Sequence, residues 1–300
     1  TAPGGFSTSG AATLSNNITT TDTTLSIGSN LIIGEAATPT LAAGSGAITM
    51  SGTTDGVTGG SAETLTVNTT GAVTFTGAVG TGVSTMLTTL TITNSAALLF
   101  SSTINITGAL AQTNAATGTT TFSNTVAVAS ATFRGTTINL GGTTTISGDL
   151  NITVGTLDVT TNNYALNVSG NWTTAGTFTA RAGTVTLTGT GAGGTITSGG
   201  SSFYNLTQNG SGGTYTLQDP LVVSNNLTIT AGTLDTKNAV NNAVSVAGTW
   251  SNSGTFTPRS GTVTLNGTNQ TISGSTTFYN LTKSITSAYT LTFPASATQT

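Results

Sequence analysis

The chain has no cysteine and no histidine, so no disulfide holds it together and the two commonest kinds of zinc ligand are missing. Charge is almost as scarce. Asp, Glu, Lys and Arg make up 4% of the 300 residues, against roughly 25% in ordinary soluble domains. Five basic residues scattered over the sequence build no basic patch, which argues against nucleic acid as a partner. The straight-chain helix formers Glu and Lys occur only as Glu35, Glu63, Lys237 and Lys283, so little or no helix is expected. No apolar run approaches the ~20 residues of a membrane-spanning helix. The sequence opens without an initiating Met or a signal peptide and reads as a mature or excised piece.

What fills the chain instead is threonine, about a quarter of all residues, with glycine, serine, asparagine and alanine. Thr and Val are stiff at the branched Cβ and fit a pleated strand better than a helix. Disordered chains combine low hydrophobicity with high net charge. Here 35% of residues are hydrophobic and the net charge is only −3, so an ordered fold is expected, with residues 1–12 set apart as a flexible or assembly segment. Short runs alternate apolar residues with Thr or Asn: Leu65-Thr66-Val67, Val73-Thr74-Phe75, Leu90-Thr91-Ile92, Val126-Ala127-Val128, Leu150-Asn151-Ile152. Period-2 alternation turns one side of a strand inward and the other to water.

Residues 148–224 and 225–300 are two copies of one sequence. In the first copy Gly155-Thr156-Leu157-Asp158 is followed by Trp172, Thr177-Phe178-Thr179-Ala180-Arg181, Gly183-Thr184-Val185-Thr186-Leu187, Phe203-Tyr204-Asn205-Leu206-Thr207 and Tyr215-Thr216-Leu217. The second has Gly232-Thr233-Leu234-Asp235, Trp250, Thr255-Phe256-Thr257-Pro258-Arg259, Gly261-Thr262-Val263-Thr264-Leu265, Phe278-Tyr279-Asn280-Leu281-Thr282 and Tyr289-Thr290-Leu291. A long repeat of short strands that cannot bury its apolar side alone signals stacking into a solenoid. The block Thr249–Gly267, read as two strands and their turns, is taken as one rung. On that basis the repeat holds four rungs and the whole chain about fifteen, with residues 13–147 forming degenerate rungs of the same solenoid and strands about 4.8 Å apart. The expected fold is an all-β, parallel β-helix solenoid, with glycines at corners that need positive φ.

Gly71-Ala72-Val73-Thr74-Phe75-Thr76-Gly77-Ala78-Val79, Thr89-Leu90-Thr91-Ile92-Thr93 and Gly183-Thr184-Val185-Thr186-Leu187-Thr188-Gly189 resemble the repeats of large secreted bacterial surface proteins of the filamentous haemagglutinin and autotransporter-passenger kind. The resemblance covers residues 60–294. It implies a secreted right-handed β-helix with an adhesive or filament-forming role, located outside the cell or on its surface.

Hydrolytic chemistry on such a fold needs carboxylates clustered in a groove. The eight acids, Asp22, Glu35, Asp55, Glu63, Asp149, Asp158, Asp219 and Asp235, are dispersed. Asp158 and Asp235 recur at equivalent places, as do Arg181 and Arg259, and a charge that repeats with the fold suits a capped turn or a pair between neighbouring turns. Trp172 and Trp250 are read as aromatics stacked inside the helix or at a corner rather than as sugar-stacking platforms, and Phe178 and Phe256 as further markers of the repeat. Tyr204 and Tyr279 must alternate with the Phe before them across the sheet, so one member of each Phe-Tyr pair is expected to face out. Gly191-Ala192-Gly193-Gly194 and Gly210-Ser211-Gly212-Gly213 lack the acid in register that calcium needs. No catalytic, cofactor or metal residue is therefore assigned, and no enzyme activity is expected.

The preferred reading is a structural solenoid: a subunit or segment of a cell-surface fibre, filament or adhesin stalk. Its partners are further copies of itself end to end, or the continuation of a longer polypeptide, with surface glycans as a further candidate. The rival reading is a ligand-binding solenoid that meets ice or glycans through Thr ladders such as Thr184-Val185-Thr186, Thr228-Ile229-Thr230, Thr255-Phe256-Thr257 and Thr262-Val263-Thr264, or through exposed aromatics.

Overall fold

The computed structural model describes residues 2, 4–57, 59, 62–82, 87–114, 118–295 and 297–300. Thr1 and Pro3 of the amino-terminal segment and Ser296 of the closing one lie outside the described residues. The chain forms a parallel β-solenoid of short strands, with no helix among the described residues. It divides into two compact units: Thr1–Ile146 with Ile152–Thr160, and Ser147–Asn151 with Thr161–Thr300.

In the first unit each turn lays one strand on each of three faces. One ladder runs Phe6–Thr8, Leu25–Ile27, Ile48–Met50, Ala72–Phe75, Ala97–Phe100, Thr119–Phe122, Thr137–Leu140 and Thr156–Asp158, all parallel. It starts at Phe6, inside the segment set apart as flexible or assembly-competent. A second ladder includes Ala12–Leu14, Leu31–Ile33 and Thr54–Asp55 and passes by single bridges through Val79 to Ile104. The third stacks Ile18–Thr19, Thr40–Ala42, Thr64–Asn68, Thr89–Asn94, Ala109–Gln112 and Ser130–Phe133. Alternation does what the pattern requires: Leu25, Ile27, Ile48, Met50, Leu65, Val67, Leu90 and Ile92 have no solvent-accessible surface. Because like sits over like, Phe75, Phe100 and Phe122 form an interior ring stack, with centroids 4.8 and 5.2 Å apart and planes inclined by 16° and 7°.

The second unit repeats the three-faced plan. Its first ladder carries Leu166, Val185, Leu206, Leu227, Trp250 and Ile272 in line. The second carries Trp172, Ile196 and Leu217, then Leu234 and Phe256. The third runs from Phe203 through Val223, Val246 and Leu265 to Lys283. Two strands, Asn205–Leu217 and Leu227–Asp235, continue round the corner between the first and second faces, with register shifts at Gln208, Asn209 and Thr214.

Two expectations are corrected. The block Thr249–Gly267 holds three strands, Trp250–Asn252, Thr255–Thr257 and Thr262–Leu265, one for each face. In most places a turn also consumes more chain than that block: the step between stacked residues varies from 18 (Thr120↔Ile138) to 26 (Thr40↔Thr66). The total is therefore about 13 turns rather than fifteen.

The repeat, moreover, is not a whole number of turns. Trp172 stands on the second face and its counterpart Trp250 on the first. Successive inward positions between them are Phe178, Val185, Ile196, Phe203, Leu206, Tyr215, Leu221, Leu227, Leu234 and Val244, so eleven steps of three per turn separate the two copies. That is three turns and two thirds. Each element of the second copy consequently lies one face back from its counterpart in the first.

Glycine does less of the corner work than expected, and does it differently. Among the described residues, nine other than glycine have positive φ, including Asn163 (59°), Arg181 (48°), Asn241 (59°) and Arg259 (52°). Several glycines are instead required by close stacking. A Cβ on Gly210 would sit 1.8 Å from the Gly189 carbonyl oxygen of the turn beneath, and one on Gly232 would sit 2.2 Å from that of Gly210.

Candidate functional site

The residues that mark the repeat build two copies of one interior arrangement. Trp172 and Trp250 are completely buried. Trp172 meets Phe178 edge-on at 4.9 Å and Phe203 at 4.9 Å, and Trp250 meets Phe256 edge-on at 4.8 Å and Phe278 at 5.2 Å. These edge-to-face contacts place the positive ring edge of one residue against the negative face of another. No ring face of either tryptophan is open to a sugar. The copies differ at one atom: Trp250 Nε1 donates to Thr276 Oγ1 at 3.1 Å, whereas Trp172 Nε1 is buried without a partner.

The recurrent charges lie at turns. Asp158 accepts the N–H of Thr160 at 2.7 Å and Asp235 accepts that of Lys237 at 2.9 Å, each closing its own turn. Asp235 is also gripped from the next turn by Arg259 through Nε at 2.9 Å and Nη2 at 2.6 Å, a two-pronged pair that a planar guanidinium suits. The guanidinium holds the Asp235 carboxyl below the usual carboxylate range, and the carboxylate in turn raises Arg259. Arg181 and Arg259 occupy the same tight turn: Gly183 N–H donates to Ala180 C=O and Gly261 N–H to Pro258 C=O, both at 2.8 Å. From the turn beneath, Asn163 Oδ1 takes the N–H of Ala182 (2.8 Å) and Asn241 Oδ1 that of Ser260 (3.0 Å).

This use of Asn and Asp as clamps between turns is general, and composition alone does not reveal it. Asn17, Asp22, Asn30 and Asp55 accept the backbone N–H of Thr40, Ser45, Thr53 and Thr81. In the second unit Asp149, Asn171, Asp219, Asn226 and Asn269 do the same for Asn171, Thr195, Ser198, Thr249 and Thr290. A signal was present: pairs such as Asn17 with Thr40 or Asn226 with Thr249 lie one turn apart, but that spacing is recognisable only once the length of a turn is known. Seven of the eight acids thus have a carboxylate bonded to backbone N–H; among them Glu63 is fully buried, with Oε2 accepting the Ala62 N–H at 3.2 Å and Oε1 unpaired, and the eighth, Glu35, is exposed. Among the described residues no three of Asp, Glu, His or Cys lie together in a cluster able to hold a metal ion.

The remaining candidates sort by face. Tyr204 is half-buried and Tyr279 is 63% exposed, while their Phe neighbours point inward. Tyr215, an unremarked inward position, is fully buried; its hydroxyl donates to Val168 C=O at 3.2 Å and accepts Gly189 N–H, and burial raises its pKa. The Thr-x-Thr triplets do not share a plane. Thr184-Val185-Thr186 and Thr228-Ile229-Thr230 belong to the first face of the second unit, Thr255-Phe256-Thr257 to the second and Thr262-Val263-Thr264 to the third. The outward file on the first face reads Asn167, Thr186, Thr207, Thr228, Ser251, Ser273.

Comparison with protein-family models, with curated proteins and with solved structures found no match. The class of the molecule therefore rests on its geometry: a repeat-built parallel β-solenoid in which the conspicuous side chains join one turn to the next.

Proposed function

We propose that this chain is a structural solenoid, a subunit or segment of an extracellular or cell-surface fibre or adhesin stalk. The observation that carries the reading is the use made of the repeated residues: the Trp and Phe rings fill the interior, and Asp235, Arg259, Asn163 and Asn241 tie turns together. Side chains committed in this way maintain a framework and leave few groups for acid–base or nucleophilic work. The low charge and the likeness to secreted bacterial surface repeats point the same way. The reading includes association end to end with further copies or continuation of a longer polypeptide, since an unpaired strand edge templates another strand. The ice-binding alternative loses ground because the Thr triplets are divided among three faces and the first-face file is interrupted by Asn and Ser.

Immunogold electron microscopy of the native material, with antibody raised against this chain, tests the assignment. Gold aligned on filaments or stalks outside the cell boundary is the expected result; label confined to the cell interior would overturn it.

A further inference from the structure

Lysine occurs twice in the chain, and both ammonium groups rest on a glutamine side chain: Lys237 Nζ on Gln218 Oε1 and Lys283 Nζ on Gln270 Oε1. The second pair is turned into the solenoid. Lys283, half-buried, continues the inward file of the third face above Val246 and Leu265, and Gln270 is 3% exposed. Among the described residues no carboxylate pairs with this ammonium. Its acceptors are the Gly267 carbonyl and, at 2.5 Å, Gln270 Oε1, and the centre of the Tyr289 ring lies 5.0 Å away. Loss of water without an acid partner pushes the Lys283 amine down from its usual range, toward the neutral form that acts as a nucleophile.

The Gln270 carboxamide is fixed at both ends. Nε2 donates to the carbonyls of Val246 (2.9 Å) and Gly248 (2.8 Å), and Oε1 accepts the Gly267 N–H (3.1 Å) as well as the lysine. The first copy of the repeat fills the same place differently. There the Tyr215 hydroxyl donates to Val168 C=O and accepts Gly189 N–H, the counterparts of Val246 and Gly267, and Gln208 stands where Lys283 does. The second copy has therefore exchanged a phenol for a held carboxamide and brought a primary amine against it. A carboxamide has an electrophilic carbon, and the Gly267 N–H is placed to receive the charge that develops on Oε1 when that carbon is attacked.

We infer that Lys283 and Gln270 form an isopeptide bond within the chain. Nζ attacks Cδ, the Cδ–Nε2 bond breaks, one proton passes from Nζ to Nε2 and ammonia leaves, so no oxidant, reductant or co-reactant is consumed. Contact between amine and carboxamide in the folded chain replaces a bimolecular encounter. The product ties the third-face strand Asn280–Lys283 to the first-face strand Gln270–Ser273. Such a lock suits a stalk under tension, but its chemistry does not depend on that assignment. Lys237 lacks one element of the site: Gln218 Oε1 receives the ammonium without a backbone N–H beside it, so that pair stays open.

Intact-mass spectrometry of the full chain, after incubation at mildly alkaline pH, should give a mass one ammonia below that of the sequence, with conversion faster as pH rises. Trypsin should then release residues 260–300 as a single peptide, lighter by one ammonia and uncut after Lys283, because an acylated lysine is not a cleavage site. A succinimide at Asn266-Gly267 would lose the same mass, and Lys283→Arg separates the two: this variant should carry the full mass of its own sequence. A parent that keeps its full mass, or a deficit that persists in Lys283→Arg, would overturn the bond while leaving the structural reading of the solenoid to the microscopy.

Discussion

One indole N–H separates the two copies of the aromatic cluster. Trp250 spends its donor on Thr276, whereas Trp172, equally buried, spends none. A net hydrogen bond contributes about 1 kcal/mol, and a buried donor without a partner costs a comparable amount. Trp250→Phe removes a satisfied donor and Trp172→Phe an orphaned one, with similar ring area lost in each. Trp250→Phe should therefore destabilise the protein by about 1 kcal/mol more than Trp172→Phe, read from urea midpoints followed by far-UV circular dichroism. Equal midpoints would show that Trp172 has a partner after all. Inward-facing residues were legible in the sequence because alternation declares them, and the same rule put one member of each Phe-Tyr pair outside without saying that it is Tyr204 and Tyr279. The partner of each polar atom was not legible, since it depends on which residue sits one turn away.

Strands here are short, three or four residues in most cases, and each is held by ladders on either side and by what happens at the corners. Parallel pairing places each strand over its equivalent, so a corner can be stacked only if its backbone is bare or its side chain bridges to the next turn. Glycine meets the first requirement at Gly189, Gly210 and Gly232, and Asn or Asp meets the second at positions such as Asn163 and Asn241. Gly210→Ala would press a methyl group into the Gly189 carbonyl, a rigid backbone atom rather than a yielding side chain. Overpacking of this kind costs about 1–3 kcal/mol. Differential scanning calorimetry should show a lowered transition for Gly210→Ala, with no comparable loss for Gly191→Ala, where a Cβ meets nothing within 4 Å. Reading every corner as a glycine with positive φ overlooked this division of labour: both classes of corner are rich in Gly, Asn and Asp, and composition does not separate stacking from turning.

At the scale of the whole molecule, the repeat and the turn are different periods. Two copies that match residue for residue invite a whole number of rungs between them, and a block of 19 residues divides the repeat into four. The turns have no single length, however, and three strands rather than two complete each one, so the second copy comes out one face behind the first. The aromatic cluster tolerates this because its three members are neighbours along consecutive faces, so its internal geometry survives whichever face it begins on. All-β parallel stacking was legible from the alternation and the repeat; the phase was not, because it depends on corner lengths that vary without an obvious marker. The central claim is that in the second unit Ser251 stands over Thr228 on the first face. The absence of native cysteine allows a direct measurement by paired substitution and the rate of disulfide formation under mild oxidant, since bridging requires Cα atoms within about 7 Å. Thr228→Cys with Ser251→Cys should cross-link rapidly and Thr230→Cys with Ser251→Cys should not; equal rates, or faster closure of the second pair, would contradict the three-faced register.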